Sequence, residues 1–205
     1  NVALAAINTA DVETARRYSI AAMALAQRSG SPSTQAQAAM QLGMALASVA
    51  PEDARRSFQE CIDLGRRGVK FMGRGGALMQ AALIDAERGD RASAGALLAE
   101  AIAVMRPAGR SSELDGACGY AVEIFERLGG TEAALVMIGA ITDGRLRVLR
   151  EMPMPPSRHA PDLRAMRETV GEQRFAELLA AGARMTYEEI LDHILEALQA
   201  LAGTP

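Results

Sequence analysis

The chain has 205 residues, enough to bury a core as one domain or one elongated array. Hydrophobic residues make up 49% and charged residues 23%, while aromatics are 3% and Trp is absent, which argues against a β-sheet. A formal net charge of −3 gives no reason to expect nucleic acid as a direct partner, and no apolar run reaches the ~20 residues that a membrane span needs.

In chain order, Asn1-Val-Ala-Leu-Ala-Ala-Ile is an apolar helical run with no initiator Met and no capping lead-in. It is expected to be a stub of helix, 1–8, cut from a longer polypeptide. The short turn Thr9-Ala10-Asp11 leads to Ala15-Arg-Arg-Tyr-Ser-Ile-Ala-Ala-Met, and Ser31-Pro32 opens a helix over 33–49. Ala50-Pro51-Glu52 turns into Ala54-Arg-Arg-Ser-Phe-Gln-Glu-Cys-Ile, with Pro51 at the first helical position and Glu52 and Asp53 at the positive end of the helix dipole. A helix over 71–88 follows. Gly89 then suits a helix C-terminus and Asp90 an N-cap for Ala94-Gly-Ala-Leu-Leu-Ala-Glu-Ala-Ile. A helix over 112–128 and the turn Gly129-Gly130-Thr131 precede Ala134-Leu-Val-Met-Ile-Gly-Ala-Ile-Thr.

The four leading alanines, Ala15, Ala54, Ala94 and Ala134, stand 39, 40 and 40 positions apart. Each opens an amphipathic stripe, clearest as Ala94, Leu97, Leu98, Ala101, Ile102 and Met105. Short connections make the partners antiparallel, so the unit is a helical hairpin of about forty residues. A single hairpin cannot hide its apolar face, whereas stacked hairpins share a continuous core. The expected fold is all-α, a right-handed α-α superhelix of stacked helical hairpins of the tetratricopeptide kind over 1–150, capped by C-terminal helices within 151–205.

After Arg150, Glu151-Met-Pro-Met-Pro-Pro-Ser-Arg reads as an extended connector, since its prolines bar a helix interior. Helices are expected at about 160–170, closing at Gly171, and at about 172–181, closing at Gly182. A last helix begins at Thr186, where Thr186 and Glu189 form a capping box. Its apolar stripe is Ile190, Leu191, Ile194, Leu195 and Leu198.

The string from Leu163 to Ile190 resembles the closing segment of tetratricopeptide regions in large bacterial signalling proteins. These are the ATP-binding LuxR-type, MalT-like transcriptional regulators and related cyclase–ATPase fusions. The matching residues are Val170-Gly171-Glu172, Phe175-Ala176, Ala181-Gly182, and Met185-Thr186 with Glu188-Glu189. The single lysine, Lys70, against 21 arginines agrees with a GC-rich genome. The resemblance implies a C-terminal sensory or interaction region, with an ATPase domain upstream in cis and a DNA-binding helix-turn-helix downstream. Neither lies in this segment: Gly73-Arg74-Gly75-Gly76 is not a phosphate-binding loop.

Residues that carry chemistry are sparse. Cys61 sits in an apolar stripe and Cys118 in a Gly-Ala-Cys-Gly stretch suited to close packing, and no base accompanies either. The two free thiols and the lack of a signal-peptide pattern point to a reducing cytoplasm. His159 and His193 are far apart and hold no metal spacing. No cofactor, metal or enzymatic activity is therefore expected of this segment. If the first helix of each hairpin lines the concave side, Gln37, Met40, Met44 and Met79 face a groove, where methionine repacks around varied partners. The competing reading is that these methionines fill the core. Two functions remain open: a sensor arm that receives a protein partner or small effector, and a structural adaptor that holds partners or forms a homodimer.

Overall fold

The computed structural model describes residues 12–108, 112–143 and 161–203, and among these it contains ten α-helices, a short 3₁₀ turn and no strand. The fold is all-α, with sequence neighbours packed as pairs. The segment 1–8, the Pro-rich connector and His159 lie outside the described residues. So does the expected boundary at 150/151. The described chain divides into two compact units, one drawn from residues 12–84 and the other from residues 85–203.

The first unit holds α1 (Val12–Ser29), α2 (Pro32–Leu46), α3 (Pro51–Arg66) and most of α4 (Arg74–Glu87). Ser31 caps α2 by accepting a hydrogen bond from the Thr34 amide, and Pro32 occupies the first helical position. Pro51 opens α3 in the same way, with Glu52 and Asp53 in its first turn. Helix α2 packs against α1 on one side and α3 on the other. Gly43 makes the second contact close, because the Phe58 ring of α3 fills the place of a Cβ. Helix α4 starts at Arg74 rather than 71, since Gly73 has φ +101° and cannot belong to a helix. Helix α2 ends at Leu46, three residues short of the expected 49.

The second unit holds the last turn of α4, α5 (Arg91–Met105), the 3₁₀ turn Arg106–Ala108, α6 (Ser112–Arg127), α7 (Thr131–Thr142), α8 (Leu163–Val170), α9 (Glu172–Arg184) and α10 (Tyr187–Ala202). Asp90 caps α5 by accepting from the Ser93 amide. The C-termini of α4 and α6 close alike: Asp90 N donates to Asp85 O, and Gly130 N to Phe125 O, around Gly89 and Gly129 at φ +75° and +79°. These two closures recur forty residues apart, so the sequence repeat is also a repeat of backbone hydrogen bonds.

The C-terminal helices continue this unit. Asp162 caps α8, accepting from the amides of Arg164 and Ala165. Helix α9 packs along α7 and does not close at Gly182, as the sequence suggests, but runs on to Arg184. Gly182 is instead the point where α9 meets α7, and a Cβ there would collide with the carbonyl oxygen of Val136. Helix α10 then lies across α5, α6 and α7. Its Ile190, Leu191 and Ile194 are fully buried and Leu198 nearly so, each burial stabilising by roughly 1.5–3 kcal/mol before entropy is counted. Thus α8 and α9 extend the stack beyond α7, while α10 returns over helices already placed.

Candidate binding surfaces around helix α10

The four residues expected in a groove fall in the first unit, three on α2 and one on α4. Met79 is buried, and Gln37, Met40 and Met44 are half-buried. The Met40 thioether lies in the space left by Gly73 and Gly76, at the start of α4. Met40 therefore joins α2 to the helix that carries Met79, and much of its side chain is taken up in packing.

In the second unit, two depressions flank α10. The first, of about 370 Å³, lies between α5 and α10 and is lined by Ala99, Ile102, Ala103, Arg106, Pro107 and Leu195. Its walls are apolar and Arg106 is its one charged group. The sequence placed Leu195 in the apolar stripe of α10, yet only the other four members of that stripe are buried; Leu195 is half-buried and faces this depression. A stripe one residue wider than the face it must cover was the available signal. Arg106 had none, because its role depends on how α10 docks.

Arg106 is held from the α10 side. Its guanidinium donates to Glu188, and Nη2 also lies 3.4 Å from Asp192 Oδ1. The bond to Glu188 raises the Arg106 pKa above its ordinary value. Both carboxylates come from α10 and meet the same Nη2, offsetting the guanidinium charge, so the depression suits an apolar group better than an anion.

The second depression, of about 530 Å³, lies between α9 and α10 and is lined by Ala181, Arg184, Met185, Glu189, Asp192, His193 and Glu196. Glu189 is engaged in the capping box expected from sequence: Thr186 N donates to its Oε2 at 2.7 Å, and Glu189 N donates back to Thr186 Oγ1. The hydrogen bond from the Thr186 backbone lowers the Glu189 pKa. His193 has a buried Nε2 with no hydrogen-bond partner. Burial lowers the His193 pKa, against smaller opposing effects from a backbone bond to Ala133 and from Glu196.

Neither Cys61 nor Cys118 is part of a disulfide, and both are fully buried. Removal from water, aided by nearby Glu60, pushes the Cys61 thiol up to about 12, which makes it a poor nucleophile near neutral pH. Among the described residues, no cluster of three or more His, Cys, Asp or Glu could hold a metal ion. Among the same residues, no helix is long and apolar enough to cross a membrane. Comparison with protein-family models, curated proteins and solved structures finds no match.

Proposed function

We propose that this chain is a non-catalytic, tetratricopeptide-like interaction or sensor module of a multidomain bacterial signalling protein, a transcriptional regulator working in the cytoplasm. The observation that carries the reading is the apolar depression between α5 and α10, built where a C-terminal helix lies across the hairpin stack. Its volume lies in the range of small-ligand sites. The occupant would be a small effector with an apolar group, or an apolar side chain of a protein partner. The Leu163–Ile190 motif supports placing the module in the LuxR-type, MalT-like class, with an ATPase domain in cis.

Signalling would then follow from the position of the depression. A ligand held by Ile102 on α5 and Leu195 on α10 touches two separate elements. It stabilises the docked arrangement of α10 by its differential affinity for that arrangement, and by no more than that. Two measurements test the proposal. The reading frame around this segment should encode a nucleotide-binding domain upstream; a frame without one defeats the regulator assignment. A screen of apolar small molecules and peptides by thermal shift should yield ligands that raise Tm in the native chain and lose that effect in Leu195→Arg. A shift that persists in the variant removes the depression from the account.

A further inference from the structure

Charge is divided unevenly between the two units. Residues 12–84 hold nine Arg and Lys against five Asp and Glu, whereas residues 85–205 hold thirteen against nineteen. In the first unit the acids are gathered: apart from Glu13 all lie on α3, and neither 14–51 nor 64–84 contains one. Helix α1 ends, α2 begins and α3 ends at one end of this unit, and there the loop 67–73 leads into α4. Arg28, Arg67 and Lys70 are exposed at that end, and none of their side chains makes an ion pair or hydrogen bond among the described residues. Arg67 borders a depression that Glu60 and Asp63 also line, but pairs with neither. Asp63 is occupied, lying 3.7 Å from Arg66 and accepting from Gln59 at 2.7 Å. The same loop carries the most exposed large apolar side chain among the described residues, Met72 at 80%, and its neighbours Val69 and Phe71 are half-buried. Its backbone is held at three points. Val69 N donates to Leu64 O at 3.1 Å, closing α3 around Gly68 at φ +90°. Ser33 Oγ of α2 donates to Lys70 O at 3.1 Å. Gly73 then turns the chain into α4 with the Met40 thioether against it. Met72 thus stands out between cations on a fixed backbone, and little ordering is needed to cover it.

We propose that this end of the first unit is a peripheral contact for an anionic lipid surface, with Met72 entering the acyl boundary and Arg28, Arg67 and Lys70 meeting the headgroups. The bare thioether decides between polyanions. Nucleic acid offers phosphates to the cations, but it leaves Met72 facing water or charge, and the one ring of the loop, Phe71, is half-buried rather than presented for base stacking. An anionic leaflet offers negative charge and, just beneath it, an apolar boundary. Repulsion from the acidic second unit is limited to charges within the screening length, ~8 Å at physiological ionic strength. Each cation near such a leaflet is worth about fivefold in partition, so three give on the order of a hundredfold, a weak contact that salt reverses.

The contact does not depend on the depression beside α10, and its test uses the whole chain. Phosphatidylcholine vesicles carrying about 30% phosphatidylserine should lift the chain in a flotation gradient at about 50 mM salt and release it at about 300 mM, and pure phosphatidylcholine should not lift it. Arg67→Ser with Lys70→Ser should weaken partition by about twentyfold. Met72→Ser should weaken it several-fold at unchanged charge, and Met72→Leu should not. Helical circular dichroism should stay the same in all three, since these side chains are exposed. An environment-sensitive fluorophore on Met72→Cys should shift to the blue on anionic vesicles. The same label on Val49→Cys, exposed at the other end of the unit, should not, and the native thiols are too buried to take it. A chain that ignores anionic vesicles at low salt overturns the proposal. Vesicle binding indifferent to Met72→Ser, equal affinity for a DNA duplex, or equal shifts of the two labels overturns it as well, because each marks a general polyanion contact in place of this one.

Discussion

Gly182 and Gly139 mark the closest approach of α9 and α7. A Cβ on Gly182 would overlap the Val136 carbonyl, and one on Gly139 the Leu179 carbonyl, so each obstacle is backbone and cannot rotate away. Gly182→Ala should therefore destabilise the chain by about 2–3 kcal/mol, despite the better helix propensity of alanine. Gly116→Ala in α6 is the matched comparison. Its Cβ meets nothing within 4 Å, so it should stabilise by about 0.5–1 kcal/mol. Thermal unfolding of the two variants checks both signs. Cys61 offers a second test at this scale. Its pKa is raised to about 12 from an ordinary 9.0, so the native thiol should resist an aromatic disulfide reagent at pH 8 and react once denaturant is added. The folded state holds this proton more tightly than the unfolded chain does. The stabilisation is complete below pH 9 and is lost as pH rises from 9 toward 12, and Cys61→Ala should remove that part of the alkaline decline.

Among the elements, α10 joins the clearest local signal to the least legible tertiary role. Thr186, Glu189 and the stripe from Ile190 announce its start and its buried face, and the structure has both. Nothing in that stripe says that it rests on α5, α6 and α7, because an amphipathic helix is satisfied by any apolar surface of matching width. Gly182 follows the same division: a glycine late in a helix looks locally like a stop, and only the backbone of α7 shows why a side chain is excluded. Gly89 and Asp90 are legible in the sequence because their roles, a left-handed residue and a cap, are local. The candidate site follows the same division, since Leu195 was in the recognised stripe while Arg106 becomes part of a site only when α10 brings Glu188 and Asp192 to it. His193 gives α10 a measurable pH dependence. Burial lowers its pKa, so the unfolded chain binds the proton more readily and stability falls as pH drops below the ordinary value of 6.5. Glu189, Asp192 and Glu196 from α10 and Arg184 from α9 line the same depression, and of these Glu196 favours the charged ring. Stability measured between pH 7.5 and pH 5 should decline in the native chain and decline less in His193→Gln; parallel curves would place the acid sensitivity elsewhere,.

At the scale of the whole molecule, the stacked hairpins leave apolar surface that neighbouring helices must cover, and in the second unit α10 supplies part of that cover. Ile190, Leu191, Ile194 and Leu198 together contribute on the order of 6–12 kcal/mol of burial before entropy, comparable with the entire net stability of a domain. The cover meets its neighbours at both ends. Arg106 pairs with Glu188 near the start of α10, and toward the other end Gly95 of α5 faces Leu198, where an added Cβ would lie in ordinary contact, 3.7 Å from Leu198 O. Truncation after Met185 should accordingly cost far more helix than the sixteen helical residues removed, as α5, α6 and α7 lose a shared face, and the product should bind a hydrophobic dye and associate. Leu191→Ala, which keeps the helix and deletes one buried side chain, should cost about 2–5 kcal/mol in the intact chain, with little dye binding below its lowered Tm. Far-ultraviolet circular dichroism and dye fluorescence on the two proteins separate these outcomes. A truncated chain that lost only its own sixteen residues of helix and stayed monomeric would mean that α5, α6 and α7 hold together without α10.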